Sequence, residues 1–460
     1  MFEVKRILRF THWLQSGTDG RVLGLFRIIF GAFMTYYAVY YHNVRYIKDG
    51  LLAPLTLFKY DGFEWVGLLP EPVLQGLLLG MGMGGLCILL GLWMRFATIC
   101  YVLILSYFTL LEKAYYNNHI YLFILLLFLL TFTHADRFLS VKGNRGFGRM
   151  VPRWQLFILQ AQVAIVYFYG GLAKLAPDWL SRQEPMRTMV KDYMHTDSEA
   201  LVHFLNYGGL LIDLAAPLIL FYRPIRIWGM IPLALFHITN TQLFNDIGIF
   251  PYVMLTSLVL YFDSEELPWW RKRVQKGDPE KSGHLKRTKK SASPVAEASD
   301  AAEVLRGRAT PLVAGVLMAY FVFQLLFPFR GFFLPNPLDY TTIGNRFSWR
   351  MKIDTRDPTE VAVFVKRTDN GEEKQVKIEN YLNPMQIRLL YIDPRAVMAF
   401  AHKLKQVGRE KGNTELEVRA KIKLKYNGRP EQYFVAPDRE LTTVQYSAFQ
   451  KLDWLVPLGQ

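Results

Sequence analysis

The sequence predicts a polytopic α-helical membrane protein of about nine spans, followed by a C-terminal, mostly antiparallel β domain outside the membrane. Three observations carry that prediction. Apolar runs near the ~20 residues needed to cross a bilayer as a helix recur through the first 330 residues of the 460-residue chain. The basic residues of the connecting loops fall on alternate sides. After Arg330 the texture changes to short alternating runs with Asn-Gly pairs between them. Composition agrees, with 51% hydrophobic, 15% aromatic and only 20% charged residues. In such a chain a formal charge of +15 points to positive-inside loops and lipid headgroups as the partner, and away from nucleic acid.

Residues 2–14 set Val4, Ile7, Leu8 and Leu14 on one helical face and Lys5, Arg6 and Arg9 opposite. That pattern suits a helix lying on the membrane surface rather than a cleavable signal. Apolar spans follow at about 22–41, 73–93, 95–112, 118–134, 154–176, 204–222, 225–243, 247–262 and 310–328. Counted from a cytoplasmic N-terminus, the loop 135–153 faces inward, and it carries Arg137, Lys142, Arg145, Arg149 and Arg153. So do the turn with Arg223 and Arg226 and the segment 263–309, with eleven Lys and Arg. The opposite loop, 177–203, has three basic against five acidic residues. Span count and charge asymmetry therefore agree, and they leave the C-terminus periplasmic or lumenal, most simply at a bacterial cell membrane. Arg27, near the inner end of the first span, reads as an anchor to the membrane surface.

The second span holds Gly76, Gly80, Gly82, Gly84 and Gly85. No strand precedes them and no lysine follows, so close helix packing is the expectation, not a phosphate loop. Cys87 and Cys100 lie in apolar segments and suggest neither a disulfide framework nor a metal site. Four parts result: a membrane domain over 1–262, a basic disordered cytoplasmic loop over 263–309, a last span over 310–330, and a β-rich extracytoplasmic domain over 331–460. In that domain, runs at 361–367 and 374–378 flank Asn370-Gly371, and runs at 416–426 and 431–435 flank Asn427-Gly428. Asn-Gly between alternating runs is a strong hairpin signal. A helix at about 394–410 separates the two.

Function is written in the polar residues of the spans. Lys174 ends the run Trp154–Trp179, where an ammonium group is costly, by roughly 2.5–3.5 kcal/mol at mid-membrane. Taken alone it reads as a lysine snorkelling to the surface. But Glu112 and Lys113 end the third span, Asn117, Asn118 and His119 open the fourth, and His237, Asn240 and Gln242 end the seventh. All reach one layer, beneath the β domain, and His, Asn and Gln there suggest a polar pocket rather than snorkelling. Asp213, mid-membrane in the sixth span, reads as a proton or structural partner. A lysine with histidines and amides points to acid–base work on a lipid-soluble substrate, with the lysine desolvated into a neutral amine.

At these residues the chain resembles the vitamin K-dependent γ-glutamyl carboxylases. Asn117-Asn118-His119 followed by Tyr121-Leu122 is similar to that family's N-N-H-x-Y-L signature. Val166-Tyr167-Phe168, Gly171, Lys174-Leu175 and Asp178-Trp179 form a second block, and Phe236-His237, Asn240, Gln242-Leu243-Phe244 and Tyr252-Val253-Met254-Leu255 a third. Further blocks are Phe347-Ser348-Trp349, Tyr381-Leu382-Asn383-Pro384 and Trp454 to Leu458. Together they cover nearly the whole chain from about residue 20, with an HTTM-like membrane domain first.

The resemblance implies the following chemistry. A lysine matching Lys174 deprotonates reduced vitamin K, a hydroquinone. Oxygen adds, and the quinone becomes a strong alkoxide base on its way to the epoxide. That base removes a γ-proton from glutamate, and the carbanion captures CO2. His119 would assist the carboxylation half, Asn118 would hydrogen-bond the quinone oxygen, and Asn117, His237, Asn240 and Gln242 would line the quinone site. Arg346 and Arg350 are candidates for the glutamate carboxylate, against the plainer reading of solvated surface arginines. No metal is expected. The family's paired lysines appear here as Ala173-Lys174, and Cys87 and Cys100 do not supply the disulfide of animal members. Two other readings stand beside this one: a quinol epoxidase that carboxylates nothing, and a non-enzymatic membrane protein whose β domain binds a partner.

Overall fold

The computed structural model describes residues 2–141, 150–243, 247–262, 308–412 and 416–459. Most of the basic segment 263–309 and part of the loop 135–153 therefore lie outside the described residues. All nine apolar runs are helical. After the surface helix α1 (Phe2–Gln15) come α2 (Arg21–Asn43), α3 (Glu71–Leu90), α4 (Met94–Leu111) and α5 (Asn118–Leu130). Then follow α6 (Trp154–Ala173), α7 (Met186–Met194), α8 (Glu199–Phe221), α9 (Arg223–Leu243), α10 (Phe250–Ser257) and α11 (Pro311–Leu326). Among the described residues six helices are long and apolar enough to cross a membrane by length and composition; α5 and α10 are apolar but shorter. The described chain is a multi-pass helical membrane protein.

The bundle has one apolar core running through α2, in which Phe26, Phe30 and Met34 are fully buried. The packing of α2 against α3 depends on glycine. A Cβ on Gly31 would lie 2.4 Å from the Leu89 amide nitrogen, and one on Gly85 2.6 Å from that of Thr35. The other glycines of α3 are not pressed in this way: a Cβ on Gly76 would meet nothing within 4 Å, and on Gly80 only a side chain at 3.7 Å. The expected glycine-packed face narrows to Gly85.

Arg27 is also not a surface anchor. It is fully buried, and its guanidinium donates to the carbonyls of Ile88, Leu89, Phe138 and Leu139 at 2.6–3.2 Å. The last carbonyls of a helix lack intrahelical donors, and Arg27 supplies them at the end of α3.

The C-terminal sheet has the order β4-β3-β5-β6, all antiparallel, with β3 at Arg356–Arg367, β4 at Glu373–Val376, β5 at Leu416–Tyr426 and β6 at Gln432–Tyr433; β1 (Gly17–Asp19) and β2 (Met150–Pro152) pair beside the bundle. Alternate residues of β5, from Val418 to Tyr426, point inward. They meet Val397, Phe400 and Leu404 on the buried side of α13 (Pro394–Glu410), which follows the short α12 (Pro384–Leu390). Both Asn-Gly pairs sit in turns. Asn427 and Gly428 both have positive φ, and the Arg429 N–H donates to the Tyr426 carbonyl at 3.1 Å. This turn faces the helix bundle.

Candidate active site

Between the bundle and the sheet domain lies a cavity of about 890 Å³, within the range of small-molecule sites. Its membrane side is built where α6 meets α8. A Cβ on Gly171 would lie 2.7 Å from Leu214 Cδ2 and 2.9 Å from the Leu214 amide nitrogen, so the two helices approach this closely only because Gly171 has no side chain. That approach brings Lys174, at the end of α6, against Asp213 of α8. The Lys174 ammonium donates to Asp213 Oδ2, and both side chains are buried. The lysine that reads as isolated in the sequence is half of an ion pair. Its position is fixed from behind as well: Trp179 Nε1 donates to the Asn206 carbonyl at 3.1 Å, and Asn206 Nδ2 donates back to the Trp179 carbonyl at 3.0 Å. The Trp179 ring centroid stands 5.3 Å from Lys174 Nζ.

Two histidines enter the same cavity. His237 Nε2 and the Tyr167 hydroxyl share a hydrogen bond of 2.6 Å, while His237 Nδ1 is buried without a partner among the described residues. His119, in the first turn of α5, is held between Tyr37 and Phe123, with ring centroids 5.9 and 5.4 Å away. Its Nδ1 is also buried and unpartnered. Buried polar atoms are ordinarily satisfied, so two orphan ring nitrogens on residues of one cavity stand out among the described residues. Asn117 caps α5, its Oδ1 facing the His119 N–H at 3.5 Å. Asn118 Oδ1 accepts from the Tyr116 hydroxyl at 3.0 Å. The remaining wall is largely aromatic and aliphatic, and several lining residues (Tyr36, Phe204 and Leu235) are exposed. The donors and the apolar surround fit a quinol head with an apolar tail.

The opposite end of the cavity comes from the sheet domain. The segment 342–356 contributes Arg346, Arg350 and Arg356. It is held in an unusual path, with Thr342, Phe347, Trp349 and Lys352 all at positive φ. Sparsely populated backbone of this kind persists only where the surroundings fix it. Here Trp349 stacks on Tyr121 at 4.9 Å, the Phe347 N–H donates to the Tyr116 hydroxyl at 2.7 Å, and Arg330 donates to the Arg346 carbonyl and to Ser348 Oγ. Arg346 and Arg350 are largely covered and ion-paired rather than free surface arginines. Arg350 is held by both oxygens of Asp339, at 2.6 and 2.7 Å. Arg346 gives only Nη1 to Asp393, at 2.8 Å.

Of the residues expected at the site, Lys174, His119, Asn117, Asn118, His237, Asn240, Arg346 and Arg350 all line the cavity. Gln242 does not. It is exposed on the last turn of α9, where its Nε2 donates to Thr241 Oγ1 at 3.3 Å. Sequence patterning missed Asp393 and Arg330, which act on cavity residues from distant parts of the chain. It also gave no sign that Asp178 receives both arms of Arg429, at 2.8 and 2.6 Å, and so ties the Lys174 corner to the Asn427-Gly428 turn. Among the described residues no group of His, Cys, Asp and Glu converges as a metal site requires.

The chain matches the family model of the HTTM domain over residues 16–266. It matches that of the vitamin K-dependent gamma-carboxylase, lumenal domain, over residues 309–460. No solved structure matches it. A helical bundle and an antiparallel sheet domain closing over one cavity are thus the two family modules in sequence order, and the chain belongs to the vitamin K-dependent gamma-carboxylase family.

Proposed function

We propose that this membrane protein oxidises reduced vitamin K to its epoxide with O2 and couples that reaction to γ-carboxylation of glutamate with CO2. The observation that carries the proposal is a single cavity with a buried lysine at its membrane end and ion-paired arginines at its sheet-domain end. Reduced vitamin K supplies, on reaction with O2, the strong base that a glutamate γ-C–H requires.

The protein's part is to bind, orient and move protons. Lys174 Nζ takes the proton of the quinol hydroxyl. It does so only as a free amine, and Asp213 Oδ2 against it is where its own proton passes within the site. His119 and His237 receive quinol polar groups, with Asn117, Asn118 and Asn240 beside them. The Tyr167 hydroxyl fixes His237. The aromatic wall excludes water, which would quench a strong base. A lipid-soluble substrate enters beside Tyr36 and Phe204, whose outer faces are exposed. Arg346, with donors to spare, holds the glutamate carboxylate of a protein or peptide. Arg350, saturated by Asp339, supports the loop. The loop 177–203 and the sheet domain face the periplasm or lumen, and 263–309 faces the cytoplasm.

The test is an incubation of detergent-purified protein with reduced vitamin K, O2, labelled bicarbonate and a Glu-containing peptide. The proposal expects epoxide and labelled peptide together. Epoxide without label in the peptide would assign the epoxidase reading instead, and neither product would remove the enzymatic one.

A further inference from the structure

Lys113 has no place in the chemistry above, yet it is buried at the sheet-domain end of the cavity. It stands in the single turn that follows α4, with its Nζ 3.0 Å from Asp393 Oδ2. The same oxygen accepts from Arg346 Nη1 at 2.8 Å. Asp393 Oδ1 is occupied separately, by the Arg395 N–H at 3.0 Å, because Asp393 caps α13. A buried and a partly buried cation thus share one carboxylate oxygen. The neighbouring Glu112 attracts Lys113 electrostatically but makes no direct contact with it: its oxygens are taken by the N–H groups of Phe58 and Ala114 and by Gln386 Nε2, and it does not line the cavity. Arg350 is matched by Asp339, and Arg356 by Asp354. Lys113 and Arg346 are therefore the two cavity cations that share one anionic oxygen. Each keeps donors that meet no protein acceptor among the described residues: the other ammonium hydrogens of Lys113, and Nε and Nη2 of Arg346.

A glutamate side chain brings one carboxylate. Carboxylation at its γ-carbon adds a second, so the product presents two carboxylates on one carbon. Two cations with separate sets of free donors suit two carboxylates better than one. We infer that Lys113 and Arg346 form a dicarboxylate subsite at this end of the cavity, in which Arg346 holds the substrate carboxylate and Lys113 receives the one that carboxylation adds. The inference rests on the carboxylase reading and adds Lys113 and Asp393 to it. Asp393 is the internal anion that holds the two cations together while the subsite is empty of carboxylate.

The test measures binding of three otherwise identical peptides, carrying γ-carboxyglutamate, Glu or Gln, to the full-length protein in detergent. Wild type should rank them in that order. Lys113→Met should reduce the advantage of γ-carboxyglutamate over Glu by roughly tenfold or more, as loss of a charged hydrogen bond implies, and Lys113→Arg should retain it. Asp393→Asn supplies the opposite sign. Asparagine caps a helix as well as aspartate does but removes the competing charge, so both acidic peptides should bind more tightly, a gain that misfolding does not produce. An unchanged advantage in Lys113→Met, or weaker binding in Asp393→Asn, overturns the subsite; if wild type also carboxylates peptide, the carboxylase reading survives that result. Equal binding of all three peptides to wild type that makes no labelled product overturns both.

Discussion

A lysine and an aspartate buried together lose more hydration than their attraction returns unless the geometry is tight, and removing one partner strands the other. Lys174 and Asp213 are such a pair, in direct contact and buried. Lys174→Ala is expected to abolish epoxide formation while the protein remains folded and monodisperse in detergent. A small exogenous amine, at raised pH where it is a free base, should restore part of the activity. Unrescued loss together with unfolding would make the lysine structural. His119 stands on a different helix, held by Tyr37 and Phe123. His119→Ala should lower carboxylation more than epoxidation when both products are measured on the same samples; equal losses would deny that division. At this scale most of the site is legible in sequence, because intramembrane Lys, His and Asn are costly enough to stand out. Gln242 misleads because two residues along a helix, about 200° of rotation, take a lining position such as Asn240 to an exposed one on the other face. Asp393 is invisible because an aspartate before Pro394 reads simply as a helix cap.

Helix packing sets how close the paired residues come. Gly171 permits the α6–α8 approach, and an added methyl there has both the side chain and the backbone of Leu214 within 3 Å. Gly171→Ala should cost about 1–3 kcal/mol, as overpacking does, seen as a lower thermal midpoint in detergent, and should slow epoxidation by moving Lys174 relative to Asp213. Gly76→Ala, where a Cβ meets nothing within 4 Å, is the control and should be neutral or slightly stabilising. Apolar runs locate the helices because about twenty residues of hydrocarbon leave a strong signal. They do not say which glycine faces which helix, so the five glycines of α3 look alike in sequence and only Gly85 is pressed. Arg27 shows the same limit. Its position suggests an anchor, whereas the carbonyls that hold it come from segments some 60 and 110 residues away along the chain.

The whole molecule works as two modules joined across the cavity. Tyr381 and Asn383 of the sheet domain meet Leu55, Asp49 and Gly50 of the bundle, and Arg429 meets Asp178. Asp393 belongs to the same joint through Lys113. Burial alone would push its carboxyl up, but Lys113 and Arg346 outweigh burial and bring it down to about 2. A carboxyl lowered by folding contributes stability above its ordinary value of about 3.9, and that contribution is lost as pH falls toward the folded value. Wild type should therefore lose on the order of 2 kcal/mol between about pH 4 and pH 2, and Asp393→Asn should lose less; denaturant titrations at the two pH values decide this. Chain topology is tested separately. A C-terminal reporter active only in the cytoplasm should be silent, and its activity would reverse the proposed orientation. Alternating runs and Asn-Gly turns make the sheet legible in sequence, but its docking is not, since single contacts such as Arg429 with Asp178 leave no periodic trace. The most direct measurement compares wild type with Lys174→Ala, both purified and folded, given reduced vitamin K, O2, labelled bicarbonate and a Glu peptide, with epoxide and peptide label quantified in each tube. The account predicts both products from wild type and the loss of both together in the variant; either product at the wild-type level in Lys174→Ala would contradict it.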